Sequence, residues 1–90
     1  MTTYSINVRL LQTNPRKGYS VRLTSTEGDY DREEGLSPGY SDARFSDVPQ
    51  GSGTVYVSRE SFGGVHQDFS AYTDGQTVDV YMSDPDTGED

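Results

Sequence analysis

The side chains able to do chemistry are few in this sequence, and they assemble into no catalytic set. The single histidine, His66, has Asp68 two residues on, the spacing that puts both on one face of an extended strand. An imidazole near a carboxylate is the beginning of a general base. A Gly-x-Ser-x-Gly elbow, a His-x-x-x-His pair and a phosphate loop are all missing from the sequence. His66 therefore reads as a strand residue facing water. There is no cysteine, which removes disulfides, zinc–thiolate sites and thiol nucleophiles.

Carboxylates are plentiful and could in principle converge on a hard cation. The run Asp29-Tyr30-Asp31-Arg32-Glu33-Glu34-Gly35 alternates acids as a calcium loop does, and calcium takes six to eight oxygens. The glycine falls one position late for the usual loop, and no bidentate Glu stands at the required distance. Asp84-Pro85-Asp86-Thr87-Gly88 is incomplete in the same way. Both read as solvated acidic stretches, so no metal or other cofactor is expected. Lys17 is the one lysine and sits in a turn beside Asn14, a loop amine rather than a core cross-linking group.

The remaining candidates are aromatic. Tyr56 stands between Val55 and Val57, and Tyr81 between Val80 and Met82. If the aliphatic neighbours face a core, both rings face out, where a tyrosine can stack on a sugar or fill a partner's groove. Tyr56 and Tyr81 are the candidate partner-binding residues.

The elements that position these groups follow from period-two alternation. Tyr4, Ile6, Val8 and Leu10 share one face, as do Tyr19, Val21 and Leu23. Val65, Phe69 and Ala71 form a third set, Val78, Val80 and Met82 a fourth, and Val55 with Val57 a fifth; Ala43 and Phe45 mark another strand. That predicts six strands, with residues 26–39 a long loop that holds at most one weak edge strand. Asn14-Pro15-Arg16-Lys17-Gly18 and Val48-Pro49-Gln50-Gly51 read as turns, and Asp74-Gly75 as a type I′ hairpin turn. The fold class is all-β: one small antiparallel sandwich of six to seven strands, Greek-key-like, over residues 1–83. Residues 84–90 form a flexible acidic tail.

Composition agrees with a thin core. Leu, Ile, Val and Phe total 16 of 90 residues, seven tyrosines supply additional apolar rings, and the net charge is −8. Such a surface repels phosphate backbones, so no nucleic-acid partner is expected. No segment is long and apolar enough to insert into a membrane, and the N-terminus lacks the parts of a signal peptide.

The runs "NPRKGYSVRLTSTEG", "YSDARFSDVPQGSGTVYVS" and "TDGQTVDVYMS" together resemble carboxypeptidase regulatory-like, transthyretin-type (prealbumin-like) sandwich domains. Val48-Pro49-Gln50-Gly51 is the most specific piece. The resemblance implies a non-catalytic accessory module of about seven strands, and it transfers no site residue. A second resemblance is to βγ-crystallins. It rests on "RESFGGVHQDF" and on Ser41–Ser46, which is similar to the calcium-ligating hexapeptide of that family and would use Asp42. Val57 replaces that family's aromatic and Phe45 its hydroxyl ligand. The expected function is a non-enzymatic module for protein or carbohydrate binding or structural support. The alternative is a calcium-binding, crystallin-like stability protein using Asp29 and Asp31, or Asp42.

Overall fold

A computed structural model describes residues 2–27, 29–59 and 62–84, with the backbone alone at 62 and 63. Among these residues seven strands follow one another: β1 (Thr3–Leu11), β2 (Tyr19–Ser25), β3 (Tyr30–Leu36), β4 (Asp42–Pro49), β5 (Gly51–Arg59), β6 (Phe62–Ala71) and β7 (Gln76–Tyr81). They form a three-stranded sheet in the order β4-β1-β7 and a four-stranded sheet in the order β3-β2-β5-β6. The two sheets pack as a small β-sandwich. The described residues include no helix, and so none able to cross a membrane.

Alternation gives the core directly. Ile6, Val8 and Leu10 of β1, with Val78 and Val80 of β7 beside them in the same sheet, face Val21 and Leu23 of β2 and Val55 and Val57 of β5, all buried. Phe45, Met82, Tyr19 and Tyr30 add the bulk that a Leu-poor sequence lacks. Burying one such aliphatic side chain contributes about 1.5–3 kcal/mol, so a core this small depends on each.

One open choice is decided and two expectations are corrected. Of the two readings of residues 26–39 the one with an edge strand holds: residues 30–36 form β3, paired with β2 from Tyr19↔Leu36 to Ser25↔Tyr30. Only Tyr30 of β3 is buried, which is why no apolar period marks the strand. Asp74-Gly75 does not close a hairpin, because β6 and β7 lie in different sheets. Gly75 has a φ of 83°, but Asp74 is not in the left-handed region that a type I′ turn demands. The turn instead docks on β1: the Ser5 N–H donates to the Asp74 carboxylate at 2.7 Å and the Gly75 N–H to the Ser5 carbonyl at 2.8 Å. β7 then runs parallel to β1, from Ile6↔Gln76 to Leu11↔Tyr81, the one parallel pairing among the described strands, where the sequence predicts an all-antiparallel sandwich.

Val48-Pro49-Gln50-Gly51 is the corner by which the chain changes sheets within a single residue. Val48 and Pro49 are buried at the end of β4, and β5 opens at Gly51 with a φ of 121°, a conformation L side chains avoid. Of the tail expected from residue 84, only Asp84 is described, and it is buried; the remainder lies outside the described residues.

Candidate functional site

The outer face of the four-stranded sheet is set by the burial of its inner one. With Val21, Leu23, Val55 and Val57 inward, Arg22 and Thr24 of β2, Thr54 and Tyr56 of β5, and His66 and Asp68 of β6 point away from the core. Cross-strand register lines them in rows. Glu33, Arg22, Tyr56 and His66 form one row, and Thr24, Thr54 and Asp68 the next. His66 is exposed on the polar face, as alternation expects.

Tyr56 is 45% exposed, and its orientation is set by a glycine. Gly64 has a φ of 93°, and a Cβ built there would stand 2.7 Å from the Tyr56 hydroxyl oxygen and 3.0 Å from Cζ. The ring tip therefore lies directly over the Gly64 backbone, an aromatic covering a cross-strand glycine. One part of the ring is used to hold it; the rest is free.

Its neighbours are also held. Arg22 grips Asp31 with two hydrogen bonds, one of them Nε to Oδ1 at 2.7 Å. That bond holds the Asp31 carboxyl below its usual range and raises the guanidinium above its own. The Thr54 hydroxyl donates to Asp68 at 3.0 Å. Beside this row runs an open groove of about 400 Å³ lined by Thr26, Ser52, Thr54, Asp68, Phe69 and Ser70. Hydroxyls, one carboxylate and one ring edge make its wall.

Tyr81 is 59% exposed but belongs to β7 in the other sheet. The two candidate rings therefore stand on opposite outer faces, and no single flat partner touches both. Around Tyr81 the surface is charged: Arg9 donates to Asp79 at 2.9 and 3.1 Å, with Asp42 next to Arg9 on β4.

The carboxylates considered for calcium are spread out. Asp29 is exposed in the β2–β3 turn and Asp31 is taken by Arg22, both at the end of the sandwich where β3 begins. Asp42 opens β4 at the opposite end, across from Arg9. Among the described residues no three His, Cys, Asp or Glu side chains converge as metal ligands would.

Sequence reasoning missed the most tightly built polar cluster, at the end of the sandwich where β2 starts. Asp84 accepts two hydrogen bonds from Arg59, at 2.6 and 2.8 Å, and one from the Tyr19 hydroxyl at 2.6 Å. The Tyr19 oxygen in turn accepts the Asn14 N–H at 2.8 Å, and the Asp84 N–H donates to the Gln12 carbonyl at 2.9 Å. Asn14 also begins the turn into β2, its carbonyl accepting the Lys17 N–H at 3.1 Å with Pro15 between. Arg59 holds the Asp84 carboxyl below its ordinary range, against the opposing pull of burial. Burial first, then the bond to Asp84, pushes the Tyr19 phenol up. The one sequence signal was Tyr19 in phase with Val21 and Leu23; nothing distinguished Asp84 from the acids beyond it. The cluster closes β7 onto β2 and β5.

Neither the models of protein families nor the curated proteins compared with this chain give a match.

Proposed function

We propose that this domain is a non-catalytic binding module, of the carboxypeptidase regulatory-like, transthyretin-type kind, that engages carbohydrate through the outer face of its four-stranded sheet. The observation that carries the reading is Tyr56, braced over Gly64 and still half open to water. A ring already fixed loses little rotamer freedom on binding, so stacking converts into affinity with less offset. The adjoining groove supports a sugar ligand, because hydroxyls and a carboxylate match the hydroxyl-rich edge of a saccharide. Seven strands in two sheets, with the Val48–Gly51 corner joining them, support the family reading.

The test is titration of the domain with soluble neutral oligosaccharides, followed by tyrosine fluorescence and calorimetry. Tyr56→Ala should abolish binding while Tyr81→Ala, on the opposite face, leaves it intact. Equal loss from both substitutions would sink the assignment to this face. A domain that ignores sugars yet captures a protein through Tyr56 would keep the face and replace the ligand.

A further inference from the structure

A sheet edge is a row of unpaired N–H and C=O groups, and proteins that stay monomeric protect it. Three of the four edges here are protected. β3 carries the consecutive charges Asp31, Arg32, Glu33 and Glu34, all exposed. β4 is kinked at Asp47, with a φ of 60°, and ends in Pro49, which has no N–H. β7 is only six residues long.

β6 is different. It runs ten residues, Phe62–Ala71, bulged at its start, where Gly64 has a φ of 93°, and in regular register with β5 from Val65 onward, with Asp68 as its one acid and no Lys or Arg. Its Asp68 and Ser70 carbonyls accept the side-chain amides of Gln67 and Gln76 at 3.0 and 2.9 Å, contacts that an added strand would exchange for backbone ones. Its core-side residues are also incompletely covered: Val65 and Phe69 are half-buried and Gln67 is exposed. An edge that is long, nearly uncharged and part-apolar on its inner side invites another strand.

We propose that β6 pairs with β6 of a second copy of this chain, antiparallel, about a two-fold axis at Gln67. The strand is complementary to itself in that register. Residues 65–69 read Val-His-Gln-Asp-Phe, so the axis sets Val65 opposite Phe69 of the other copy on the core side. It sets His66 opposite Asp68 of the other copy on the outer side, twice over. β-Branched–aromatic and imidazole–carboxylate pairs are the favoured kinds at facing positions. The Asp68 Oδ1 is occupied by Thr54 at 3.0 Å, so Oδ2 receives the imidazole N–H. Continuing β3-β2-β5-β6 through the axis gives an eight-stranded sheet with no new edge of this type. This goes beyond the binding reading and does not depend on it. It would place two Tyr56 rings on one face, about 16 Å apart from strand spacing and rise.

The absence of cysteine makes the register directly testable. Gln67→Cys faces its own copy across the axis, whereas Ser70→Cys faces a position six residues away, about 20 Å along the strands. Both sites are exposed, so each variant should keep the parental melt. Under oxidised glutathione, Gln67→Cys should form disulfide-linked dimer at least tenfold faster than Ser70→Cys. Adding His66→Asp should slow it to the Ser70→Cys rate, by setting two carboxylates against each other. Exchanging the pair, His66→Asp with Asp68→His, should restore it. Equal rates for the two cysteines overturn the proposal, as does indifference to His66→Asp or failure of the exchange to rescue.

Discussion

Tyr19 and Tyr56 belong to the same sheet and differ by which face they take. Tyr19 is 3% exposed, and its hydroxyl both donates to Asp84 and accepts from Asn14. Tyr56 is 45% exposed and has its tip over a glycine backbone. A buried phenol must have its oxygen satisfied by the protein, and Tyr19 is satisfied by a loop residue and by the chain beyond β7. A ring in open water has no such requirement. The same residue type therefore closes the fold at one position and offers a surface at the other.

The comparison breaks most visibly at Asp84. Asp84→Ala takes two hydrogen bonds from the Arg59 guanidinium and the acceptor from the Tyr19 hydroxyl at a nearly closed site. Losing one partner of a buried pair costs more than the pair itself contributes. A fall in Tm of more than about 10 °C is expected for a domain of this size. Tyr19→Phe removes one hydroxyl and should cost roughly 5–10 °C, while Tyr56→Phe should leave the melt unchanged and Tyr56→Ala lower it by only a few degrees. Thermal melts of the four variants check the order. A loss above about 2 kcal/mol from Tyr56→Ala would make that ring a packing residue and end the contrast.

Titration sharpens the same contrast. Arg59 lowers the Asp84 carboxyl below its ordinary value, so the unfolded chain takes up that proton first as pH falls. The clasp's contribution is complete above about pH 5 and drains away below about pH 4, as pH passes through the folded value. Tyr19 works at the other limit. Its raised phenol favours the neutral form in the fold, so its contribution is present below about pH 10 and is lost as pH climbs through the folded value. A Tm–pH profile of Asp84→Asn should show a shallower acid limb than the parent. An acid limb unchanged by Asp84→Asn would remove the clasp from the account.

What was legible in the sequence follows from the same physics. Alternation exposed every strand with a buried face, because burial forces period two on residues such as Val21-Arg22-Leu23 and Val55-Tyr56-Val57. It also put Tyr56, Tyr81 and His66 outward. It could not show β3, whose only buried side chain is Tyr30 and whose pairing is backbone to backbone. Nor could it show which strands share a sheet, and so Asp74-Gly75 read as a hairpin when it joins two sheets. Asp84 was invisible because its role depends on Arg59, distant in sequence and brought near only by the fold.

Salt separates the exposed charges from the buried ones with a smaller effect. Fifteen acids against seven cations give a net charge of −8, and the exposed run on β3 concentrates like charges on one edge. Molar KCl shortens the screening length to about 3 Å, which removes most repulsion between exposed side chains. Tm should rise by a few degrees from low salt to molar KCl. Arg59 and Asp84 are only 12% and 8% exposed and are screened little, so Asp84→Ala should show the same increment from a lower starting point. A flat or falling curve would mean that local pairs such as Arg9–Asp79 and Arg22–Asp31 already neutralise the surface.

The smallest expected effect is that of calcium. A hard cation gathers six or more oxygens, but Asp31 has both carboxylate oxygens on Arg22. Asp29 lies at that end of the sandwich in an exposed turn, and Asp42 lies at the other end beside Arg9. To bind at Asp31, calcium would first have to break two charge-assisted hydrogen bonds. Millimolar calcium should therefore shift the melt no more than matched magnesium does. Asp31→Asn should move Tm by at most a few degrees, since an exposed pair contributes little. A calcium-selective rise of several degrees, lost in Asp29→Asn with Asp31→Asn or in Asp42→Asn, would reverse this. The acidic surface would then be a ligand set, and the distinction between a satisfied interior and a merely solvated exterior would fail at those residues.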